Sequence, residues 1–302
     1  MPDTATLTWT DQVEPGTAKK VRALLDRAAD VDGVAPVSEQ AVLSLAEADS
    51  STRHAIAERA GEVVGYANLL AAHDEHPAMA EVAVDPEARG AGIGADLVRA
   101  ALAEGGPGAR VWAHGDLPAA KALATGLGLT TARELWQMRR SLATPELPEL
   151  DFPDGLMIRT YAGPTDHAEL LRVNNAAFSW HPEQGGWTER DIEARVAESW
   201  FDGNGLFQAF DIADPDRLLG FHWTKRHPDA ASAGEVYVVG IDPSAQGRGL
   251  GRLLTLFGLR HLRATGSTEA LLYTEADNTA AVRTYTKLGF APAHIDIAYA
   301  LP

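Results

Sequence analysis

The chain contains a long internal repeat, and few folds accommodate one. Residues 82–102 read VAVDPEARGAGIGADLVRAAL and residues 239–259 read VGIDPSAQGRGLGRLLTLFGL. Asp85-Pro86 matches Asp242-Pro243 at an offset of 242 − 85 = 157, and at that offset Gly90, Gly92 and Gly94 meet Gly247, Gly249 and Gly251. A second match, Leu127-Gly128-Leu129 with Leu288-Gly289-Phe290, lies at offset 161, a difference of loop length. A period this long is no solenoid repeat; it signifies two copies of one domain. The 302 residues suffice for two separate cores.

The boundary is readable. Residues 141–155, SLATPELPELDFPDG, carry three prolines and acidic residues with no helical period, as expected of a semi-rigid, solvated linker. We place a first domain at 1–142, a linker at 143–155 and a second domain at 156–302. Each copy reads as a short strand, a helical region, a strand pair, a strand entering a glycine-rich turn, a helix, a further strand, another helix and a final strand. The expected fold is mixed α/β, present twice.

In both copies a strand and Asp-Pro lead into the glycine-rich turn, Arg89–Gly94 or Gln246–Gly251, and a helix follows. Amides at a helix start lack intrahelical partners and sit at the positive end of the dipole. Glycines let an anion come close. The expected ligand is a pyrophosphate, with Arg248 or Arg252 adding charge. A Rossmann loop requires G-x-G-x-x-G and a later acidic residue, and a Walker loop requires Gly-Lys-Ser/Thr; neither spacing is present.

Composition narrows the partners. A net charge of 26 − 42 = −16 disfavours nucleic-acid backbones. There is no cysteine, so disulfides, thiolate metal sites and a cysteine nucleophile are excluded. His181, His222 and His227 have no metal-ligand spacing, and no metal is expected. No apolar run reaches membrane-spanning length and no signal-peptide pattern opens the chain, so a cytoplasmic monomer away from membranes is the expectation.

The pattern Q/R-x-x-G-x-G/A between strand and helix resembles the acetyl-CoA pyrophosphate motif of the GNAT N-acetyltransferases, and both copies carry it. Asn278-x-x-Ala281-x-x-x-Tyr285-x-x-x-Gly289-Phe290 resembles the later helix–strand motif of that family. The resemblance implies two tandem acetyltransferase domains using acetyl-CoA. The implied donor contacts are Val82, Ala83, Val84, Arg89, Gly90, Ala91, Gly92, Ile93 and Gly94 in the first copy. In the second they are Val239, Gly240, Ile241, Gln246, Gly247, Arg248, Gly249, Leu250, Gly251 and Arg252, with Asn278, Thr279, Ala280, Ala281, Val282 and Arg283 on the later helix.

Acetyl transfer to an amine requires a base, oxyanion donors and a proton for the departing thiolate. An α-amine of pKa about 7.7–8.0 is largely protonated near neutrality, and a carboxylate removes that proton directly or through water. Glu235, opening the strand before the cradle, is the candidate base. Backbone amides of Val239, Gly240 and Ile241 are candidate oxyanion donors; Gly240 within a strand suggests a bulge or a close ligand. Tyr285 is the candidate proton donor, about 10 Å along one helix face from Asn278.

A narrower resemblance rests on VDGVAPVSEQ (31–40), RVNNAAFSWHPEQGGW (172–187), GFHWTKRHPD (220–229) and GEVYVVGIDP (234–243). It is to tandem GNAT enzymes that acetylate the cysteinyl amine of a cysteine–glucosamine–inositol conjugate. It implies Glu39, Glu183, Lys225, Glu235 and Tyr273 as acceptor contacts, drawing on both copies. Trp180, Trp187 and Trp223 read as core rather than ligand walls. At the repeat offsets Glu235 meets Ala78, Tyr285 meets Ala124 and Asn278 meets Leu117. The first domain is therefore expected to keep a cradle but perform no chemistry. The alternatives are a tandem GNAT acting on another amine (an antibiotic, a small amine or a protein N-terminus) and a non-enzymatic acyl-CoA sensor.

Overall fold

A computed structural model describes residues 5–46, 51–73, 76–179, 184–226 and 232–302. The chain divides into two compact units, 1–135 with 294–302, and 136–293. The elements of the first half are β1 (Thr6–Thr10), α1 (Pro15–Asp32), α2 (Glu39–Leu43), β2 (Thr52–Arg59), β3 (Glu62–Leu70), β4 (Met79–Val84), α3 (Ile93–Gly105), β5 (Arg110–His114), α4 (Pro118–Gly126) and β6 (Thr130–Ser141). The second half has β7 (Leu156–Thr160), α5 (His167–Ala177), α6 (Glu189–Val196), β8 (Leu206–Asp211), β9 (Asp214–Arg226), β10 (Ala233–Ile241), α7 (Leu250–Ala264), β11 (Glu269–Glu275), α8 (Thr279–Lys287) and β12 (Ala291–Ala300).

The first unit pairs β1, β2, β3 and β4 antiparallel in sequence order, and β4 then pairs parallel with β5. The second repeats this with β7, β8, β9 and β10 antiparallel and β10 parallel to β11. Amphipathic helices cover these sheets. In α3, Leu97, Val98 and Ala101 are buried; in α7, Leu253, Leu254, Leu256, Leu259 and Leu262 are. Each buried leucine contributes about 1.5–3 kcal/mol. The helix α1 starts with Pro15 in its first turn and stops at Gly33, whose left-handed φ of 72° lets its N–H reach the Ala29 carbonyl.

Two features differ from the sequence expectation. The last strand of the chain, β12, pairs antiparallel with β5 through Asp296–Ala300, so 294–302 complete the first unit's sheet rather than a copy ending at 302. Hydrophobic patterning specifies a strand there but not which edge it joins. The proline-rich stretch is irregular, yet it is not a solvated tether. Leu142 and Leu147 are buried in the second unit's core, and Arg140 and Arg260 donate to the carbonyls of Pro145 and Pro148.

Candidate active site

Each unit carries the same turn between sheet and helix. Gly90 and Gly92 have φ of 78° and 86°; Gly247 and Gly249 have 77° and 79°. A Cβ at any of the four would meet nothing within 4 Å. These glycines are thus required by the left-handed backbone, and the space above them is open. The preceding aspartates hold the turn. Asp242 accepts from the Ser244 amide at 2.8 Å and the Ser244 hydroxyl at 2.6 Å, and pairs with Arg172 of α5. Burial alone would raise its carboxyl, but Ser244 and the Arg172 guanidinium hold it down at about 2. Asp85 repeats the arrangement with the Glu87 amide and Arg27 of α1.

The charge at the two turns differs. Arg248 and Arg252 are exposed, and neither forms an ion pair among the described residues. The matching first-unit positions are Ala91 and Ala95, and Arg89 is held by Asp32 through two hydrogen bonds of 2.8 Å. The second turn alone presents uncommitted cations to a polyphosphate.

Beside each turn the sheet opens. The parallel pairing covers only Ala233–Glu235 against Glu269–Leu271 in the second unit, and Met79–Glu81 against Arg110–Trp112 in the first, while all four strands continue. The opening leads into a cleft of about 750 Å³ in the second unit and about 340 Å³ in the first. The strand β10 has a further irregularity. Val236 pairs with Thr224 and Val238 with Trp223, so Tyr237 is an extra residue and the strand bulges. The pairing of β3 with β4 is regular throughout.

The bulge lies at Tyr237, not at Gly240. Gly240 has a different cause: a Cβ there would stand 2.6 Å from the Phe221 ring, so the residue is small to fit the protein's own aromatic rather than a ligand. The extra residue also changes the repeat register. Counting strand partners through it, Glu235 opposite Lys225 matches Met79 opposite Leu70, not Ala78.

Glu235 is buried at 8% exposure and sits directly across from Lys225 on β9, one step before the bulge. Both project to one face, since cross-strand partners share a side. There the Lys225 ammonium stands 4.8 Å from the Trp200 ring and 5.3 Å from the Tyr237 ring. Those two aromatics meet edge to face at 5.1 Å, and Arg195 donates to the Tyr237 hydroxyl at 3.1 Å. Strand alternation puts Tyr273 on the same face as Leu271, the residue paired with Glu235. Tyr273 is exposed, and its hydroxyl accepts from Gln137 at 2.7 Å.

The other wall of the second cleft is α8. Its periodicity turns Asn278, Ala280, Ala281, Thr284 and Tyr285 to the lining. Thr279, Val282 and Arg283, expected as donor contacts, lie off that face. Asn278 caps the helix, accepting the Ala281 amide at 3.2 Å. Tyr285 packs in one apolar cluster with Val236 and Val239, edge to face with Phe290. Its hydroxyl has no hydrogen bond among the described residues, and burial pushes its phenol up to about 12.

Of the remaining expected residues, Val239, Ile241, Gln246, Gly247, Gly249, Leu250, Gly251 and Arg252 line the second cleft, and Gly240 and Arg248 do not. In the first, Val82, Ala83, Val84, Arg89, Gly90, Gly92, Ile93 and Gly94 line it and Ala91 does not. Glu39 is exposed at the start of α2. Glu183, with Trp180, His181 and His227, lies outside the described residues. Trp187 and Trp223 are core, at 8% and 1% exposure. His222 is fully buried, and burial lowers its imidazole to about 4, so it stands neutral under α7.

The acetyltransferase (GNAT) family model matches twice, at residues 20–128 and 172–290. The chain belongs to the acetyltransferase (GNAT) family. It is 71% identical to the mycothiol acetyltransferase of Nocardia farcinica over 98% of this chain and 97% of that one. It is 56% identical to the mycothiol acetyltransferase of Mycolicibacterium smegmatis, over 97% and 98%. Among solved structures, a GCN5-related N-acetyltransferase from Sphaerobacter thermophilus superposes with a TM-score of 0.71 at 20% identity, covering 97% of this chain and 94% of that one. A tandem GNAT protein of the clavulanic acid biosynthesis pathway gives 0.64 at 19%, covering 97% and 98%.

This GNAT chain thus has two cradles, each beside an opening with a buried glutamate at its edge, Glu81 or Glu235. Among the described residues only the second opening has a bulged strand beside it, and the helix position that is Ala124 in the first cleft is a phenol, Tyr285, in the second. Reading the sequence missed Trp200, Tyr237 and Arg195. The one available signal was Tyr237 itself, the residue by which the second copy's strand exceeds the first.

Proposed function

We propose that the chain transfers acetyl from acetyl-CoA to the cysteinyl amine of a cysteine–glucosamine–inositol conjugate, the step that completes mycothiol, and that the second unit performs the chemistry. The acceptor reading is supported by near-full-length identity to the mycothiol acetyltransferases. The observation that carries the division of labour is the asymmetry of the openings: Glu235, the bulge and Tyr285 face Met79, a regular strand and Ala124.

In this reading the turn at 246–251, with Arg248 and Arg252, binds the donor's phosphates through unpaired amides and side-chain cations. Glu235 takes the proton from the acceptor ammonium, directly or through water, and frees the lone pair that attacks the thioester carbon. Backbone amides of β10 past the bulge, at Val239 and Ile241, stabilise the oxyanion. As the carbon–sulfur bond breaks, Tyr285 donates to the sulfur. Its phenol, pushed up to about 12 by burial, stays protonated and neutral near neutral pH, so the proton is there to give. The proton gained by Glu235 and that lost by Tyr285 balance through solvent. Holding both substrates together supplies much of the rate without an acyl-enzyme. Lys225, Tyr273, Glu39 and Glu183 are the proposed contacts to the acceptor's polar groups, and the first unit takes no part in bond making.

The test is a purified-protein assay with acetyl-CoA and a panel of cysteinyl-glucosaminyl-inositol, simple amines and peptides, with the acetylated product followed by mass spectrometry. Preference for the conjugate by kcat/KM is expected. A better simple amine or peptide would overturn the acceptor assignment, and no acetylation of any amine would overturn the enzymatic reading.

A further inference from the structure

Within the second unit, aromatic rings hold a lysine beside the opening, and the first unit has nothing like it. Glu235 is the last residue of β10 paired with β11 before the strands part, and Lys225 of β9 is its cross-strand partner. At the matching place in the first unit Met79 stands opposite Leu70, and no residue corresponds to Tyr237.

Strand alternation separates this lysine from the phenol of α8. Tyr285 packs with Val236 and Val239, whose partners on β9 are Thr224 and His222. Trp223 and Lys225 alternate with those partners, so they project to the opposite face, together with Glu235. In the proposed reaction the base serves the amine and the phenol serves the departing sulfur, and the opening lies between the two faces. The Lys225 face is therefore the side from which an acceptor reaches Glu235.

The ammonium is held in place there. It stands 4.8 Å from the centre of the Trp200 ring and 5.3 Å from that of Tyr237. Both rings rest on Trp223, 1% exposed, with centroids at 6.1 and 6.0 Å. Arg195 of α6 donates to the Tyr237 hydroxyl at 3.1 Å and to the Asp191 carbonyl at 2.8 Å, and its guanidinium lies 4.0 Å from the Trp187 ring. A loose lysine loses much rotamer entropy when a ligand orders it; one already ordered loses little on binding. A ring face holds the charge without neutralising it, and N–H donors turned away from the rings remain for ligand oxygens.

We infer that Trp200, Tyr237 and Arg195 are positioning residues that fix the Lys225 ammonium where it binds hydroxyl oxygens of the acceptor. They thereby make the enzyme prefer an amine carrying a polyol over the same amine without one. This rests on the reading of Lys225 as an acceptor contact.

The experiment measures kcat/KM, at saturating acetyl-CoA, for the cysteine–glucosamine–inositol conjugate and for cysteinamide, which keeps the cysteine and lacks both rings. The readout is the ratio of the two. It is taken for the native protein, Lys225→Met, Trp200→Leu, Trp200→Phe, Tyr237→Leu and the pairing of Lys225→Met with Trp200→Leu. The native ratio should favour the conjugate. Lys225→Met and the two leucine variants should each lower it about tenfold, the size of one lost hydrogen bond to a charged group. Trp200→Phe, which keeps a ring face, should stay near the native ratio, and the pairing should fall no further than Lys225→Met alone. If Lys225→Met lowers the ratio while both leucine variants leave it, positioning is overturned and the acceptor reading stands. If the native protein acetylates both amines equally well, the acceptor reading fails and the inference with it. A native preference that Lys225→Met does not reduce overturns the inference. Equal losses with both amines, or an additive pairing, would show a general structural role and overturn it. Should the leucine variants not fold, Arg195→Met, which leaves every ring in place, carries the same test, and an unchanged ratio in it overturns the inference.

Discussion

Tyr285 and Ala124 occupy the same position in the two units: each carbonyl accepts the amide five residues on, from Phe290 at 3.0 Å and from Leu129 at 2.9 Å. The same turn therefore ends α8 and α4, and the difference between them is a phenol. Tyr285→Phe keeps the ring in its cluster and removes only the donated proton. The expected outcome is a fall in kcat of about 10²-fold or more with acetyl-CoA affinity nearly intact. Pre-steady-state thiol release beside calorimetric donor binding checks this, and collapsed affinity would instead make Tyr285 a binding residue.

Glu235→Gln is isosteric and keeps the cross-strand relation to Lys225 while removing the proposed base. Turnover should drop by about 10²–10⁴-fold. The loss should be largest below the amine's own pKa of about 8, where little free amine is present. A pH–rate profile of the variant should then rise with pH toward the native rate. A parallel profile at unchanged height would place Glu235 outside the chemistry.

The duplicated architecture, the cradles and the helix carrying Tyr285 were legible because glycine spacing and hydrophobic period are local properties of the chain. The bulge was not. An extra residue in β10 is visible only through its partners, Thr224 and Trp223 on β9, which is why counting along the chain matched Glu235 to Ala78 and strand pairing matches it to Met79. Gly240 was misread for a similar reason: its neighbour is the Phe221 ring, brought there by the sheet. The partner of β12 was illegible too, since Asp296–Ala300 would alternate equally well against any edge. The hydrogen bond from the Ser38 hydroxyl to Glu81 joins residues 43 positions apart, and no sequence period records it.

His114 gives stability a pH dependence of definite sign. Burial alone would lower its pKa, but hydrogen bonds to Asp296 and Glu81 outweigh that and hold the imidazole up at about 9, against 6.5 for an ordinary histidine. The folded state therefore binds more protons than the unfolded state between these values. The contribution is complete below 6.5, declines as pH rises and is gone above 9, amounting to about 3 kcal/mol at most. Urea unfolding of the native protein from pH 6.5 to 9.5, set against His114→Gln, should show a steeper decline in the native protein. Equal slopes would mean that these carboxylates do not hold the proton.

The final prediction separates the two cradles. Gly92 and Gly249 both have left-handed φ, 86° and 79°, and at both a new side chain would enter open space. Gly92→Asp and Gly249→Asp therefore carry similar backbone strain, about 1–2 kcal/mol each, and any difference between them reports function rather than folding. Each places a carboxylate where phosphate oxygens would bind, and like charges repel at such close range. Gly249→Asp should abolish acetyl transfer, because its cradle borders the cleft lined by Tyr285, with the proposed base Glu235 at the edge of the opening. Gly92→Asp should leave kcat standing, since beside its cradle are Met79, a regular strand and Ala124. Calorimetric titration of acetyl-CoA with steady-state rates on both folded variants decides this. If Gly92→Asp cost as much turnover as Gly249→Asp with acceptor KM unchanged, the first unit would be catalytic, and the bulge at Tyr237 would not mark where the chemistry occurs.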